Sequence, residues 1–396
     1  MTTKLLSFFI LTFSVLGTYS YTEPLKLSLL FYEAQRAGKL PSTNNVSWRR
    51  DSAVNDGAAQ GLDLSGGWFD AGDNVKFNFP MAASVSLLAW SGVEARSKYV
   101  AAGLWNSLKD SIRWPLNYLL KCDTGKDVLY AQCGNGTDDH SNWGGVSANP
   151  SPPRSCYSVS YKSGASDLAS EMAAAFALSS IVFNDSDAVY AKNLLSHAKS
   201  LFAYADAKRG KYSDVLYQAS QFYSSSDYVD ELVWGAVSLY AATNDATYLA
   251  KAESLWLSSF KDSTPWAQSW DNKVPAATAL LAKYTKTAAN KAQYLNVLNK
   301  FFNSYRSSSM PKIGGVLAFR DGWGSLRYAA NFASIALYAC NNFSDAEVND
   351  RAALRTFAQQ QIDFMLGSNS ANRSYVVGYG NNPPQRPHHR NASCPI

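Results

Sequence analysis

The sequence has 396 residues, of which 46% are hydrophobic and 17% are charged. This length and hydrophobic content provide for a large core, and a barrel fold accommodates such a chain as a single domain. The 36 Lys and Arg residues exceed the 31 Asp and Glu residues by five. A surplus this small, without basic clusters, argues against nucleic acid as the partner.

Residues 1–20 have the features of a secretory signal peptide. Lys4 precedes an apolar segment over residues 5–16, and small residues lead up to Tyr21, the predicted mature N-terminus. The apolar segment is too short for a membrane anchor, and no later stretch has about 18 consecutive apolar residues. We therefore predict a secreted, extracellular protein that does not bind membranes, with its folded domain over residues 21–396.

Helical periodicity follows for most of the remaining chain, and no run of alternating residues predicts a strand. The predicted helices are Pro24–Ala37, Met81–Ala95, Ala101–Lys121, Ala165–Phe183, Ala188–Asp206, Asp227–Ala242, Ala246–Phe260, Val274–Thr285, Lys291–Tyr305, Leu326–Asn341 and Ala346–Leu366. Pro115 is predicted to kink the third helix. Short and long connections alternate, which favours an all-α fold in which helical hairpins close into an (α/α) barrel.

The cysteines and the glycosylation sequons are consistent with export. An odd count of five cysteines suggests a free thiol or a missing partner, and Cys340 lies in an apolar helical pattern that predicts a buried thiol. Cys122, Cys133 and Cys156 share one loop region and provide for one disulfide, whose pairing the sequence leaves open. Asn-X-Ser/Thr sequons begin at Asn45, Asn135, Asn184, Asn342, Asn372 and Asn391.

The stretch from Ser65 to Pro80 carries the strongest chemical pattern. Asp70 and Asp73 lie three residues apart in a segment broken by glycines, which permits a sharp turn that aims both carboxylates at one point. The neighbouring aromatic residues provide apolar walls, which raise the basicity of a carboxylate so that it can take a proton from water. The alternatives are a surface Asx-turn that caps the backbone and a metal-binding loop, although two acids are far from a full set of oxygen ligands.

Two stretches resemble the motifs of one known family. Residues 67–77, Gly-Trp-Phe-Asp-Ala-Gly-Asp-Asn-Val-Lys-Phe, resemble the active-site signature of glycoside hydrolase family 9, the inverting cellulases, and residues 374–390 resemble its histidine signature. The resemblance is closest to the animal and protist members. It implies six hairpins in an (α/α)6 barrel and a secreted, monomeric endo-1,4-β-glucanase that acts on cellulose. Asp73 is then the base, Asp70 holds the attacking water, and His388 completes the catalytic residues.

The same resemblance implies residues that contact the glucan. Residues 139–144 are similar to the family's substrate floor and residues 322–328 to another of its segments. The implied contacts are His140, Trp143, Trp323, Arg327 and Arg390. Trp270 and Tyr328 are further candidates, because they lie in or just past other loops between helices and an aromatic-lined cleft suits the apolar faces of a sugar. A tryptophan in such a loop also has a simpler interpretation, since it often fastens an irregular loop to the body of the protein.

The resemblance implies no cofactor for the chemistry, but it implies a structural Ca²⁺ in some members. The ligands would be Ser226, Asp227, Asp230, Glu231 and Asp271, whose hard oxygens suit this ion. The alternative interpretation of the acids over residues 227–231 is stabilisation of a helix N-terminus.

One departure from the family pattern concerns the general acid. Inversion needs a second carboxyl group to protonate the leaving oxygen, and the family places that glutamate beyond the histidine signature, near the last helix. In this sequence Asp363 is the last carboxylate, and the predicted helices number one fewer than twelve. We therefore expect a C-terminally incomplete domain with residual activity. The alternative is a β-glucan-binding protein that is catalytically impaired.

Overall fold

The computed structural model describes residues 19–147, 149–150 and 152–394, so the predicted signal peptide lies almost entirely outside the described residues. The longer helices are α1 Thr22–Ala34, α2 Asn78–Ala101, α3 Trp105–Cys122, α5 Ser166–Phe183, α6 Ala188–Ala207, α9 Val229–Thr243, α10 Ala246–Ser259, α11 Val274–Tyr284, α12 Ala288–Arg306, α13 Ser325–Asn342 and α14 Arg351–Leu366. All correspond to predicted helices. Sequence reasoning missed four short helices, α4 Gly136–His140, α7 Tyr212–Val215, α8 Tyr217–Ser220 and α15 Arg390–Ser393.

Ten of the long helices pair into five antiparallel hairpins: α2 with α3, α5 with α6, α9 with α10, α11 with α12, and α13 with α14. The first member of each hairpin belongs to an inner layer, in which α5 packs against both α2 and α9. In α5 every residue except Ile181 is buried, because its many alanines let neighbouring helices approach closely. This burial accounts for the apolar character of α5, which is the one described helix long and apolar enough to cross a membrane. The all-α prediction is confirmed.

The prediction that the chain has no strands is wrong. Strands β1 Lys76–Phe77, β2 Val128–Cys133 and β3 Cys156–Ser160 form an antiparallel sheet, and β4 Lys312–Ile313 pairs with β5 Leu317–Ala318. These strands have two to six residues and lie inside irregular loops, so an alternating pattern has too few positions to be recognised.

The sheet also settles the disulfide. Cys133 and Cys156 face each other across β2 and β3 and are bonded, whereas Cys122 is a buried free thiol. Cys340 is buried as predicted. The backbone departs from helical geometry at Ala95 in α2, and α3 continues without a break through Pro115. The helical backbone is therefore interrupted at Ala95 and not at Pro115, where the sequence predicted a kink.

Candidate active site

A tight turn over residues 66–75 brings the two predicted catalytic carboxylates into one cleft. Gly66 and Gly67 have φ of +90° and +79°, values that favour glycine. The backbone N–H of Asp70 donates to the carbonyl of Val75 at 2.8 Å, and the N–H of Asp73 donates to the carbonyl of Asp70 at 2.9 Å. These bonds fold the loop back on itself, as the glycine pattern predicted.

The cleft has a volume of about 590 Å³ and contains every residue that the sequence assigned to catalysis or to glucan binding. They are Asp70, Asp73, His140, Trp143, Trp270, Trp323, Arg327, Tyr328, His388 and Arg390. Their positions in the chain span more than 300 residues, so the fold alone brings them together. Phe77, Phe222, Tyr223 and Asp321 also line the cleft.

Asp73 is almost buried, with 9% of its surface exposed. Its Oδ1 accepts a hydrogen bond from the N–H of Val75 at 3.0 Å, and its Oδ2 lies 3.1 Å from Nε2 of His140. Burial raises the pKa of Asp73 to about 7, and the negative charge of Asp139 acts in the same direction. A carboxylate with this pKa is a far stronger base than an exposed aspartate.

Asp70 is held by a residue that sequence reasoning missed. The hydroxyl of Tyr223 donates to Oδ2 of Asp70 at 2.5 Å, and the Tyr223 ring packs against Phe77 and Trp270 with centroids 4.8 and 4.9 Å apart. Burial and the charge of Asp73 together raise the pKa of Asp70 to about 7, although the Tyr223 hydrogen bond acts to lower it. The only sequence signal for Tyr223 is an adjacent aromatic pair in a serine-rich loop.

One group of side chains in the cleft has the spacing that a metal site would require. One oxygen or nitrogen atom from each of Asp73, Asp139 and His140 lies within 4.8 Å of the other two. The guanidinium of Arg390, however, donates to both the carbonyl and the carboxylate of Asp139. This cation already compensates the Asp139 charge, so we interpret the group as a hydrogen-bonded network around Asp73. The Phe222 ring packs on His140 with centroids 4.8 Å apart and holds the imidazole beside the carboxylate.

The histidine loop lies directly on the carboxylate loop. The N–H of Arg390 donates to the carbonyl of Gly72 at 2.9 Å. A Cβ at Gly72 would lie 2.0 Å from the carbonyl oxygen of His388, so only glycine permits this approach. The His388 ring packs edge to face against Trp143 with centroids 4.7 Å apart. The Arg390 guanidinium also lies over the Trp143 ring, 5.6 Å from its centroid.

Aromatic side chains with one free face line the rest of the cleft. Trp143 is 47% exposed and Trp323 is 83% exposed. Arg327 lies over the Tyr328 ring and donates to its hydroxyl at 2.8 Å. Asp321, which the sequence did not single out, accepts from the N–H of Trp323 at 2.8 Å and shapes the turn that carries it. Exposed aromatic faces beside hydrogen-bond donors suit a ligand with apolar faces and polar edges.

The residues predicted to bind calcium lie together, but several have other partners. Oδ1 of Asp227 accepts from the N–H of Tyr228 at 2.7 Å, and Oδ1 of Asp271 accepts from the N–H of Ser226 at 2.9 Å. Oδ2 of Asp230 accepts from the N–H of Lys273 at 2.7 Å, and Glu231 pairs with the Lys273 ammonium at 3.1 Å. In the described part of the chain, no three of these acids have carboxylate oxygens within 4.8 Å of one another.

A buried ammonium group already lies among the carboxyl groups of this set. Lys273 also pairs with Glu171 at 3.2 Å, and all three side chains of Lys273, Glu171 and Glu231 are fully buried. One ammonium group therefore faces several buried carboxyl groups, and burial together with the charge of Asp230 raises the pKa of Glu231. Oε2 of Glu231 is buried without a partner. The calcium site stays a prediction.

Comparisons with known proteins agree with this geometry. The sequence model described as "Glycosyl hydrolase family 9" matches residues 21–396. "Endoglucanase 4" of Bacillus sp. (strain KSM-522) is 44% identical over 385 residues, which is 95% of this chain and 60% of that protein. The endoglucanase structure of the termite Nasutitermes takasagoensis has a TM-score of 0.88 at 44% identity and covers 96% of this chain and 84% of that chain. The cellulase Cel9M of C. cellulolyticum in complex with cellobiose has a TM-score of 0.85 at 32% identity, with 95% and 85% covered.

The fold and the cleft thus define a glycoside hydrolase built on an (α/α)6 barrel, and the predicted fold class is confirmed. The chain belongs to glycosyl hydrolase family 9. It spans 60% of the length of the Bacillus relative.

Proposed function

We propose that this protein is an endo-1,4-β-glucanase that hydrolyses internal bonds of cellulose with inversion at the anomeric carbon. The observation that carries this proposal is the pair Asp70 and Asp73, two carboxyl groups of raised pKa in one aromatic-lined cleft. Inverting glycoside hydrolysis needs a carboxylate that activates the attacking water, and this pair supplies that half of the machinery. The endoglucanase names of the relatives support the substrate class.

In the proposed mechanism Asp73 removes a proton from the attacking water. Its pKa of about 7 lets it take a proton near neutral pH. Asp70, whose orientation is fixed by Tyr223, accepts the second hydrogen bond of this water. The His140 contact at 3.1 Å orients the Asp73 carboxylate. The base must be ionised to act, so kcat/KM rises with pH through about 7 and levels off above it.

The cleft walls provide for a glucan chain. Trp143, Trp270 and Trp323 offer apolar ring faces to the axial C–H faces of glucose units. Arg327 and Arg390 donate to hydroxyl groups at the sugar edges. That Cel9M was solved with cellobiose supports a cello-oligosaccharide as the ligand. No cofactor takes part in these steps.

Inversion also needs an acid for the leaving oxygen. Among the described residues, Asp321 is the one further carboxylate in the cleft, and its Oδ1 is engaged by the N–H of Trp323. This engagement favours a role of Asp321 in shaping the turn. A glucan-binding protein without turnover is therefore the second candidate function.

The substitution Asp73→Asn tests the proposal. We expect it to lower the release of reducing sugar from carboxymethylcellulose by about 10²–10⁴-fold, which is the usual worth of a general base, and to leave binding of cellotetraose unchanged. Asp138→Asn is the matched control, because Asp138 is exposed and does not line the cleft. A wild-type chain that binds cellotetraose without hydrolysing it favours the second candidate, and a D73N variant that keeps the wild-type rate excludes Asp73 as the base.

We propose further that the protein is exported and glycosylated. The sequons at Asn45, Asn184, Asn342 and Asn372 are exposed, as a glycan acceptor requires. The Nδ2 of Asn391 is buried and donates to Oδ1 of Asn74 at 2.7 Å, so a glycan there is incompatible with the fold. Expression in a eukaryotic secretory host should give a product that begins at Tyr21 and carries no glycan at Asn391. A product that stays inside the cell and still carries residues 1–20 would contradict export.

A further inference from the structure

Two buried polar residues next to the carboxylate loop have no part in the mechanism above. Gln35, 2% exposed, directly follows α1, and His389, 7% exposed, lies between His388 and Arg390. Their side chains meet although 354 positions separate them in the sequence. Buried polar groups are costly unless they are fully hydrogen-bonded, so such a pair calls for an account of every donor and acceptor.

The hydrogen bonds fix both side chains. Nδ1 of His389 accepts from the N–H of Ala392 at 3.2 Å, which leaves the ring proton on Nε2. That N–H donates to Oε1 of Gln35 at 2.6 Å. With its oxygen so assigned, the Gln35 amide nitrogen donates to the carbonyls of Phe69 at 3.0 Å and of Ala71 at 2.6 Å. Both amide protons of Gln35 are used, and each hydrogen bond in the network therefore has only one possible donor.

The two carbonyls that Gln35 binds belong to the residues on either side of Asp70. The Phe69 carbonyl lies in the peptide plane directly before Asp70, and the Ala71 carbonyl lies in the plane between Ala71 and Gly72. Ala71 has φ of +43°, in the left-handed region, which is a strained conformation for a residue with a side chain. The bond from Gln35 to the Ala71 carbonyl stabilises this strained conformation. Without it, relaxation of Ala71 would rotate Asp70 away from Tyr223.

We propose that His389 and Gln35 are positioning residues that act through the carbonyls of residues 69 and 71 to hold Asp70 in its catalytic orientation. This inference rests on the proposed function, in which Asp70 binds the attacking water. A loop that places a reacting group about 1 Å from its productive position typically costs about 10²-fold in rate.

Burial and the charge of Arg49 lower the pKa of His389. The imidazole thus stays neutral at mildly acidic pH, as the network requires.

Two substitutions of His389 separate this role from simple helix capping. His389→Gln places an amide N–H near the position of Nε2 and retains the donor to Gln35, whereas it loses the acceptor for Ala392. His389→Asn places an oxygen near the position of Nδ1 and retains the cap of the short helix α15, whereas it cannot reach Gln35. We expect H389N to lower kcat by about 10- to 100-fold with KM within twofold, and H389Q to stay within about threefold of wild type.

A second measurement does not depend on activity. Hydrogen exchange of the peptide over residues 69–75 should be faster in H389N than in wild type and H389Q, with the rest of the protein unchanged. If wild type hydrolyses no glucan, the proposed function fails while this measurement still tests the positioning role. Should H389N not fold, Gln35→Met keeps the side-chain volume without its hydrogen bonds, and we expect the same loss of kcat and of protection. A normal H389N with an impaired H389Q, or unchanged protection in both H389N and Q35M, would overturn the inference.

Discussion

Neutralising Asp73 should stabilise the folded protein at neutral pH while it lowers the rate of hydrolysis. The folded environment holds the Asp73 carboxyl at a pKa of about 7 instead of its ordinary 3.8. Between about pH 4 and pH 7, therefore, the Asp73 carboxyl is protonated in the native state and ionised in the unfolded state. Stability must fall as pH rises through this range, because the native state binds more protons there than the unfolded state does. The variant D73N has no such proton and escapes this fall.

The size of the effect follows from the same numbers. A rise of the pKa from 3.8 to about 7 corresponds to at most about 4 kcal/mol of destabilisation at pH 8. The asparagine keeps an oxygen for the N–H of Val75, but it weakens the contact with His140, which reduces the gain. We expect D73N to be more stable than wild type by about 1–3 kcal/mol at pH 8. For a chain of this length that is about 1–4 °C in Tm.

The assay is urea denaturation of wild type, D73N and D138N at pH 4, 5, 6, 7 and 8. The difference between D73N and wild type should be near zero at pH 4, grow between pH 5 and pH 7, and level off above. Asp167 and Asp230, which also have raised pKa values, are common to all three proteins and cancel in the difference. Asp70 adds to the difference in the same direction, because D73N removes the charge that helps to raise its pKa. A D73N variant that is less stable at every pH, or a difference independent of pH, would refute the reasoning that burial raises the pKa of Asp73.

Three further results are expected. Tyr223→Phe removes the hydrogen bond that opposes the raised pKa of Asp70, so the acid limb of kcat/KM should move to higher pH and the rate at pH 6 should fall about 10-fold; an unmoved limb would contradict this role. Replacing Cys133 and Cys156 by serine opens the cross-link between positions 23 apart and should lower the free energy of unfolding by about 3 kcal/mol in urea, whereas an equal midpoint would show that β2 and β3 hold without it. Excess chelator should lower Tm reversibly through loss of an ion near Glu231; an unchanged Tm with no metal by elemental analysis would exclude the calcium site.

The helices were predictable because their apolar residues repeat with the helical period over 11 to 24 residues. The ends of the helices were harder to predict, because single hydrogen bonds determine where each helix begins and ends. The sequence predicts Asp227 inside α9, yet its carboxylate accepts from the N–H groups of Tyr228 and Val229 and the helix begins at Val229. The sequence also predicts residues 346–350 inside α14, but Glu347 turns back to accept from the N–H and hydroxyl of Ser344.

The site residues that belong to a sequence motif were predictable. Those that act through a single polar contact were not. The nine residues drawn from the two signatures and their companion segments all line the cleft, as does Trp270, which lies outside those segments. Tyr223, Gln35 and His389 leave no periodic pattern, because each acts through one hydrogen bond or two on groups far away in the sequence. The bond from Tyr223 to Asp70 spans 153 positions. No local rule of sequence connects such residues before the fold is known.

The close contact between the carboxylate loop and the histidine loop has a consequence for how this site tolerates change. Gly72 does not have a positive φ, so its requirement is steric: any side chain meets the His388 carbonyl. On the same surface the N–H of Arg390 binds the Gly72 carbonyl, and Asn391 donates to Asn74 at 2.7 Å. These bonds join two loops that the hydrophobic core does not connect, and helix packing does not depend on them. Substitutions over residues 388–391 should therefore reduce the rate of hydrolysis well before they reduce the stability of the barrel.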